Sequence, residues 1–311
     1  SVSGFLAQEQ QQHGGAIVRG QKSAEFIQSP IRFLYENVQN RGASASLMSL
    51  EKLSQFVNAL NQSTQTTIDR FLHDNAEFRE LGKILITAML LRSVYKNAPY
   101  KDLIQLNDFS SPPSINWVST LVNLIREGAR DADHLEDDNN LTIITFNYDT
   151  ILEHILNEHL CANQRHKGGN IKKICPVHHV HGKVEMPRII EGDFILEHIL
   201  KEAQSFYLIR EASPDQPFIR FKESAHDTAQ RILSSAERIH AMGFSFDEYN
   251  TAAIGLDVFS WPDQIFALNY NGHHGVTRRL NKMGVPTTNI ISGSQQEAYD
   301  CKTALEQGFL E

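Results

Sequence analysis

Asn147 and Asp149 stand two residues apart, directly after the apolar run Leu141-Thr-Ile-Ile-Thr-Phe146 and directly before Thr150-Ile-Leu-Glu-His-Ile-Leu156. A carboxamide offers donors and an acceptor without charge, and a carboxylate accepts from hydroxyl groups. Such a pair suits a polar ligand such as a sugar. The run before it is β-branched and does not alternate, which reads as a strand buried on both faces, as in a parallel sheet. The stretch after it places Ile151, Leu152, Ile155 and Leu156 on one helical face. Thr150 and Glu153 have capping-box spacing, so the helix is expected to start there. Strand, polar turn and helix N-terminus make up the carboxyl edge at which open α/β sheets bind ligands, and the helix amides favour an anion nearby. Asn, Asp and Thr are also ordinary capping residues, so spacing alone leaves a purely structural turn equally open.

The same pattern recurs downstream. Ile174 to Val184 reads as a short strand ending at His181-Gly182. Arg238 to Met242 runs into Gly243-Phe-Ser245, Gln264 to Leu268 into Asn269-Tyr-Asn271, and Thr288 to Ile291 into Ser292-Gly-Ser294. In a parallel sheet these five polar strand ends gather along one edge. One polar end is a cap. Five together are better explained by a ligand with a sugar and phosphates, whose oxygens need amide, carboxylate and backbone N–H partners.

The elements that must position these residues fall into three stretches. Residues 1–29 are irregular, with a glutamine-rich run at Gln8 to Gln12. Residues 30–140 are mostly helical, with helices expected from Pro30 to Asn40, Leu47 to Leu60, Thr67 to about Tyr95 and Ile115 to Arg130, and an acidic solvated loop from Asp131. Residues 141–311 alternate strand and helix. The fold class expected is α/β: a Rossmann-like parallel sheet with helices on both faces and a large helical insertion.

Composition narrows the function. The chain has 311 residues, 41% of them hydrophobic, and a net charge of −8. That balance argues against broad nonspecific binding to nucleic acid or to an anionic membrane, though not against a local basic patch, and no direct nucleic-acid or membrane binding is expected. Its longest apolar run, Ile84 to Leu91, is too short to span a bilayer, and no signal segment opens the sequence. Cys161, Cys175 and Cys301 form no CxxC pair, which suits a reducing compartment, so a cytoplasmic protein is expected. His179 and His181 share one face of their strand while His178 points away. No further ligand stands at metal spacing, so no metal is expected, although a hydrolase using His179 and His181 as ligands is a third reading. Cys175 is not paired with a base by any recognised motif.

Ile144-Thr-Phe-Asn147-Tyr-Asp149, His179-Val-His181-Gly182 and Gly243-Phe-Ser245-Phe resemble, in order, the motifs of the bacterial sirtuin-like domains found in phage-defence NAD hydrolases. Thr67-Ile-Asp69-Arg-Phe-Leu72 followed by Glu80-Leu-Gly-Lys83 resembles the helical insertion of that group. The resemblance spans about Thr67 to Ser294. It implies cleavage of the nicotinamide–ribose bond of NAD+, the substrate, by an antiviral effector that depletes NAD+. It also implies a homo-oligomer that responds to an activating protein partner. By motif, Asn147 would be the catalytic asparagine that holds the ribose and the attacking water, and His181 the catalytic histidine. Asp149 would support the ribose or the turn. Gly243 and Ser245 would approach the phosphates and Asn269 the adenosine ribose, with Ser292 completing the cofactor-binding set. Two departures stand beside it. The strand and Gly-Ala-Gly-type phosphate loop that open such domains are not found, so either the chain lacks its true N-terminus or its first βα unit has degenerated. The paired CxxC zinc motifs of deacetylating sirtuins are also missing, which argues against a protein deacetylase. The missing loop motivates the alternative expectation, a non-catalytic nucleotide-binding or assembly module.

Overall fold

The computed structural model describes residues 31–34, 49–64, 68–97, 116–131, 134–162, 170–185, 194–206, 208, 225–269, 272–293 and 301–310. The glutamine-rich start, Asn271 and Ser294 lie outside them. In chain order the elements are α1 (Leu50–Gln62), α2 (Ile68–Asp74), α3 (Arg79–Asn97), α4 (Asn116–Gly128), α5 (Leu135–Asp138), β1 (Ile143–Thr145), α6 (Ile151–Asn157), α7 (Ile171–Ile174), β2 (Val177–His179), α8 (Phe194–Glu202), α9 (Ala225–Ser235), β3 (Ile239–Met242), α10 (Glu248–Ala253), β4 (Ile265–Asn269), α11 (His274–Lys282), β5 (Ile290–Ser292) and α12 (Cys301–Glu306). The fold is mixed α/β. Among the described residues helix predominates, and the strands form two small parallel sheets. No helix among these residues is long and apolar enough to cross a membrane.

The chain divides into two compact units. The first comprises Ser1–Leu103, Tyr148–Thr150 and His181–Pro217, and the second Ile104–Asn147, Ile151–Val180 and Phe218–Glu311. In the first unit, the Ser49 side chain caps α1 by accepting from the Lys52 amide at 3.2 Å. The single long helix expected from Thr67 is instead two, broken at Asn75. The Asn75 carboxamide donates to the Phe71 carbonyl at 2.8 Å, and Arg79 donates to the Leu72 and His73 carbonyls at 3.2 and 3.0 Å. These side chains satisfy the carbonyls that end α2, so the chain can turn there. The turn stacks Phe71 and Phe78 at 6.3 Å, and Phe56 from α1 meets each ring edge-on at 5.6 Å. All three rings are buried.

The second unit holds both sheets. β1 pairs with β2, with Ile143, Ile144 and Thr145 opposite Val177, His178 and His179. β4 lies between β3 and β5, with Met242 opposite Leu268 and Asn269 opposite Ser292. Each pair is parallel, as the alternation of strand and helix predicts. A single continuous sheet is not formed among the described residues, because no backbone ladder joins β1 to β3. Side chains connect them instead. Ile144, Phe146 and Val180 pack in one apolar layer with Ile239, Ala241, Ile265, Ala267 and Ile290. On the opposite face, Ile143 and Val177 pack with Met242, which also reaches Phe266, Leu268 and Ile291. Successive strand residues therefore enter opposite layers, as the pleat requires. Apolar residues on both sides of β1 and β4 explain why those strands read as hydrophobic runs, whereas β2 and β3 carry His178, His179 and His240.

Three histidines of this unit, His159, His178 and His240, are held below the ordinary imidazole value of 6.5, in each case chiefly by burial. Arg126, Arg231 and Arg238 respectively push in the same direction. An unfolded chain binds these protons near 6.5 and the folded chain only at lower pH. Their contribution to stability is therefore complete above that value and is lost as pH falls through the folded values. Urea unfolding should show a lower midpoint at about pH 5.5 than at about pH 7.5, with a smaller loss in His240→Leu. Equal acid sensitivity in that variant would contradict the contribution assigned to His240.

Candidate functional site

Asn147 follows β1 and is held through its backbone. Its amide donates to Thr145 Oγ1 at 3.1 Å, and its carbonyl lies 2.8 Å from His179 Nδ1. Among the described residues its carboxamide makes no hydrogen bond, and the residue is exposed. The other ring nitrogen of His179, Nε2, lies 2.7 Å from Glu153 Oε1 on α6. The expected capping box is therefore not closed by Glu153. One carboxylate oxygen turns to His179, and the other is buried with no hydrogen-bond partner among the described residues.

The ends of β3, β4 and β5 form a row set by their register, which brings Gly243, Asn269 and Ser292 to one edge. The Phe146 and Phe244 rings stack at 4.9 Å, which brings the end of β1 beside the end of β3. Gly243 is exposed at φ 66°, and a Cβ there would meet nothing within 4 Å, so its glycine serves conformation and not clearance. Ser245 is exposed. Its hydroxyl donates to Asp247 at 3.2 Å and its carbonyl accepts from Arg279 of α11 at 2.7 Å. Asp247 in turn caps α10, accepting from the Tyr249 and Asn250 amides at 3.2 and 3.1 Å. Ser292 is exposed at the end of β5. Asn269 is buried, and its carboxamide is engaged within the β4–α11 turn. It donates to the His273 carbonyl and Thr277 Oγ1 at 3.1 and 3.0 Å, and it accepts from the His273 amide at 2.9 Å.

Asp149 and His181 belong to the first unit. Asp149 bridges in parallel to Val184, whose amide bonds to the Tyr148 carbonyl. His181 is 4% exposed, with its ring 6.4 Å from that of Tyr148. Tyr148 packs on Phe206 at 4.5 Å, and the Lys83 ammonium sits 5.6 Å from the same ring. Gly182 pairs antiparallel with Phe206 at φ 76°, where a Cβ would lie 2.5 Å from the Ser205 carbonyl oxygen. The glycine after His181 is thus required by both conformation and clearance.

The structure therefore gathers Asn147, Gly243, Ser245, Asn269 and Ser292 at strand ends of one unit, and it places Asp149 and His181 in the other. Sequence reading missed two features. His179 and Glu153 meet through strand pairing that no local motif encodes. Phe246, buried in the loop after β3, adopts φ 52°, a left-handed conformation unusual for a bulky residue and without a sequence signature. Cys175 is buried among apolar side chains, and burial pushes its thiol up to about 12, so at neutral pH it is not a thiolate nucleophile. Among the described residues no group of three or more His, Cys, Asp or Glu side chains is placed to hold a metal ion. The chain matches no protein-family model, no curated protein and no solved structure with which it was compared.

The two strand-end glycines separate conformation from volume. Gly182→Ala should destabilise the protein by more than ~1 kcal/mol, and by more than Gly243→Ala, because only Gly182 combines positive φ with a backbone clash. Thermal unfolding of both variants reads the order, and the reverse order would contradict it. Cys175 should resist alkylation in the native protein and react only on unfolding. Modification of native protein at the rate of a free thiol would show that burial does not protect it.

Proposed function

We propose that this chain is an NAD+ hydrolase of the sirtuin-like class, cleaving the nicotinamide–ribose bond to give nicotinamide and ADP-ribose. In this reading the two parallel sheets are parts of one Rossmann-like sheet with a helical insertion, and the protein is an anti-phage effector. Homo-oligomer formation and an activating protein partner belong to the same proposal. The observation that carries it is the ordered motif set on parallel strand ends: Asn147 after β1, Gly243 and Ser245 after β3, Asn269 ending β4 and Ser292 ending β5.

The chemistry suits the residue types. Departure of nicotinamide leaves an oxocarbenium-like sugar cation. The neutral, exposed Asn147 carboxamide can hold a ribose hydroxyl or a water near that cation without neutralising it. His181 is proposed as the catalytic histidine by its motif, because imidazole is the side chain suited to take up a proton near neutral pH. Asp149 supports the ribose or the turn, the Gly243–Ser245 loop offers exposed backbone to phosphates, and Asn269 and Ser292 serve the nucleoside end. Positioning of the ribose and water would supply much of the remaining rate.

A second reading, a non-catalytic nucleotide-binding or assembly module, is favoured by the burial of His181 and by the engagement of Asn269 within its own turn. Chromatography of purified protein incubated with NAD+ separates the two. Hydrolysis predicts nicotinamide and ADP-ribose in equal amounts, reduced roughly 10²-fold or more in Asn147→Ala and in His181→Ala. Undiminished turnover in both variants would reject the assigned roles. NAD+ binding without turnover, in the presence of candidate activators, would select the second reading.

A further inference from the structure

We infer that His179, anchored by Glu153, is a positioning residue that fixes the Asn147 turn from the neighbouring strand. The inference rests on the NAD+-cleaving reading only for what Asn147 does once positioned.

Protonation chemistry fixes how this contact works. The Asn147 carbonyl can only accept, so the 2.8 Å contact requires a proton on His179 Nδ1. A neutral imidazole of that tautomer has a bare Nε2, and an ionised carboxylate has no proton to offer it. Two bare acceptors would repel at the 2.7 Å observed between Nε2 and Glu153 Oε1. The pair must therefore hold one shared proton, as imidazolium with carboxylate or as neutral imidazole with carboxylic acid. The His179 side chain is 6% exposed, so water is a poor substitute for either partner. From one position on β2 the ring thus holds both the turn after β1 and the first turn of α6.

Asn147 is the residue this arrangement fixes. Its N–H is bonded to Thr145 Oγ1 and its C=O to His179, while its carboxamide is left exposed. A backbone held at both groups beside a side chain left available is a preorganised polar group, in which orientation is set before any ligand arrives.

Steady-state nicotinamide release and NMR of protein labelled with ¹⁵N-histidine and ¹⁵N-asparagine test this together. His179→Phe and Glu153→Leu should each lower kcat roughly 10²-fold with KM for NAD+ nearly unchanged. Glu153→Gln, whose amide can donate to a bare Nε2, should recover most of the loss. In the wild-type protein, His179 should show a proton on Nδ1 held in a hydrogen bond, and in Glu153→Leu the Nε2 signal should change as its carboxylate partner is lost. The Asn147 side-chain amide resonance should shift in both disabling variants. A wild-type His179 protonated on Nε2 alone, or folded variants with unchanged kcat and unchanged Asn147 resonances, would overturn the inference. If wild-type protein releases no nicotinamide, the hydrolase reading fails, and the NMR measurements still decide whether His179 holds the turn. If His179→Phe fails to fold, the Glu153 pair and the wild-type tautomer decide it.

Discussion

The register of β1 against β2 governs the surroundings of Asn147. Thr145 lies opposite His179, and through that pairing the imidazole reaches the turn carbonyl two residues beyond the strand. Strand side chains alternate with a period of two, so a slip of one residue would turn His179 to the opposite face and bring His178 in its place. The two histidines occupy different environments. His178 is held below its ordinary pKa by burial, with Arg231 adding to the effect, whereas His179 lies against a carboxylate and a carbonyl. The apolar layers enforce the register. Ile143 and Val177 enter one layer while Ile144 enters the other, so a slipped strand would put the wrong residues into both.

Layering also explains the concentration of polar groups at strand ends. Apolar layers on both faces of β1 and β4 leave little room for polarity along those two strands. His178, His179 and His240 lie within strands, whereas the candidate polar positions Asn147, Asn269 and Ser292 fall where strands leave the layers, beside the turn glycine Gly243. Once there they do different work. Asn269 holds its own turn together, Gly243 allows a left-handed backbone in open space, and Asn147 is fixed by its backbone with its carboxamide exposed. Equal polarity in the sequence becomes unequal availability in the fold.

What the sequence conveyed follows from how local each signal is. Parallel strands alternating with helices after Leu141 could be read directly, because apolar runs such as Leu141–Phe146 and Ile265–Leu268 are bounded by polar turns. The polar strand ends were readable for the same reason, as the places where those runs stop. The break at Asn75 was not, since its apolar periodicity continues through Phe78 and Leu81 while the decisive bonds come from the Asn75 and Arg79 side chains. Glu153 has the right spacing for a capping box, yet the pairing of β1 with β2 supplies His179 as a competing partner. The burial of His181 and the internal bonding of Asn269 likewise depend on residues brought close only by tertiary folding. Phe246 gives no sign of its left-handed backbone, because that conformation is imposed from outside.

Neither compact unit is a continuous stretch of chain. Asn147 and Tyr148 are joined by a peptide bond yet belong to different units, and so do Val180 and His181. No single truncation can therefore yield either unit whole, and a fragment beginning at Ile151 would lack both β1 and the Tyr148–Thr150 segment. The conformation of that segment also depends on distant sequence, because Tyr148 and Asp149 make their backbone pairings with Val184. Pairing across such a separation carries the entropy of closing a long loop, which slows the acquisition of order. This candidate segment is thus expected to become ordered late in folding, after the helices on either side of it have formed.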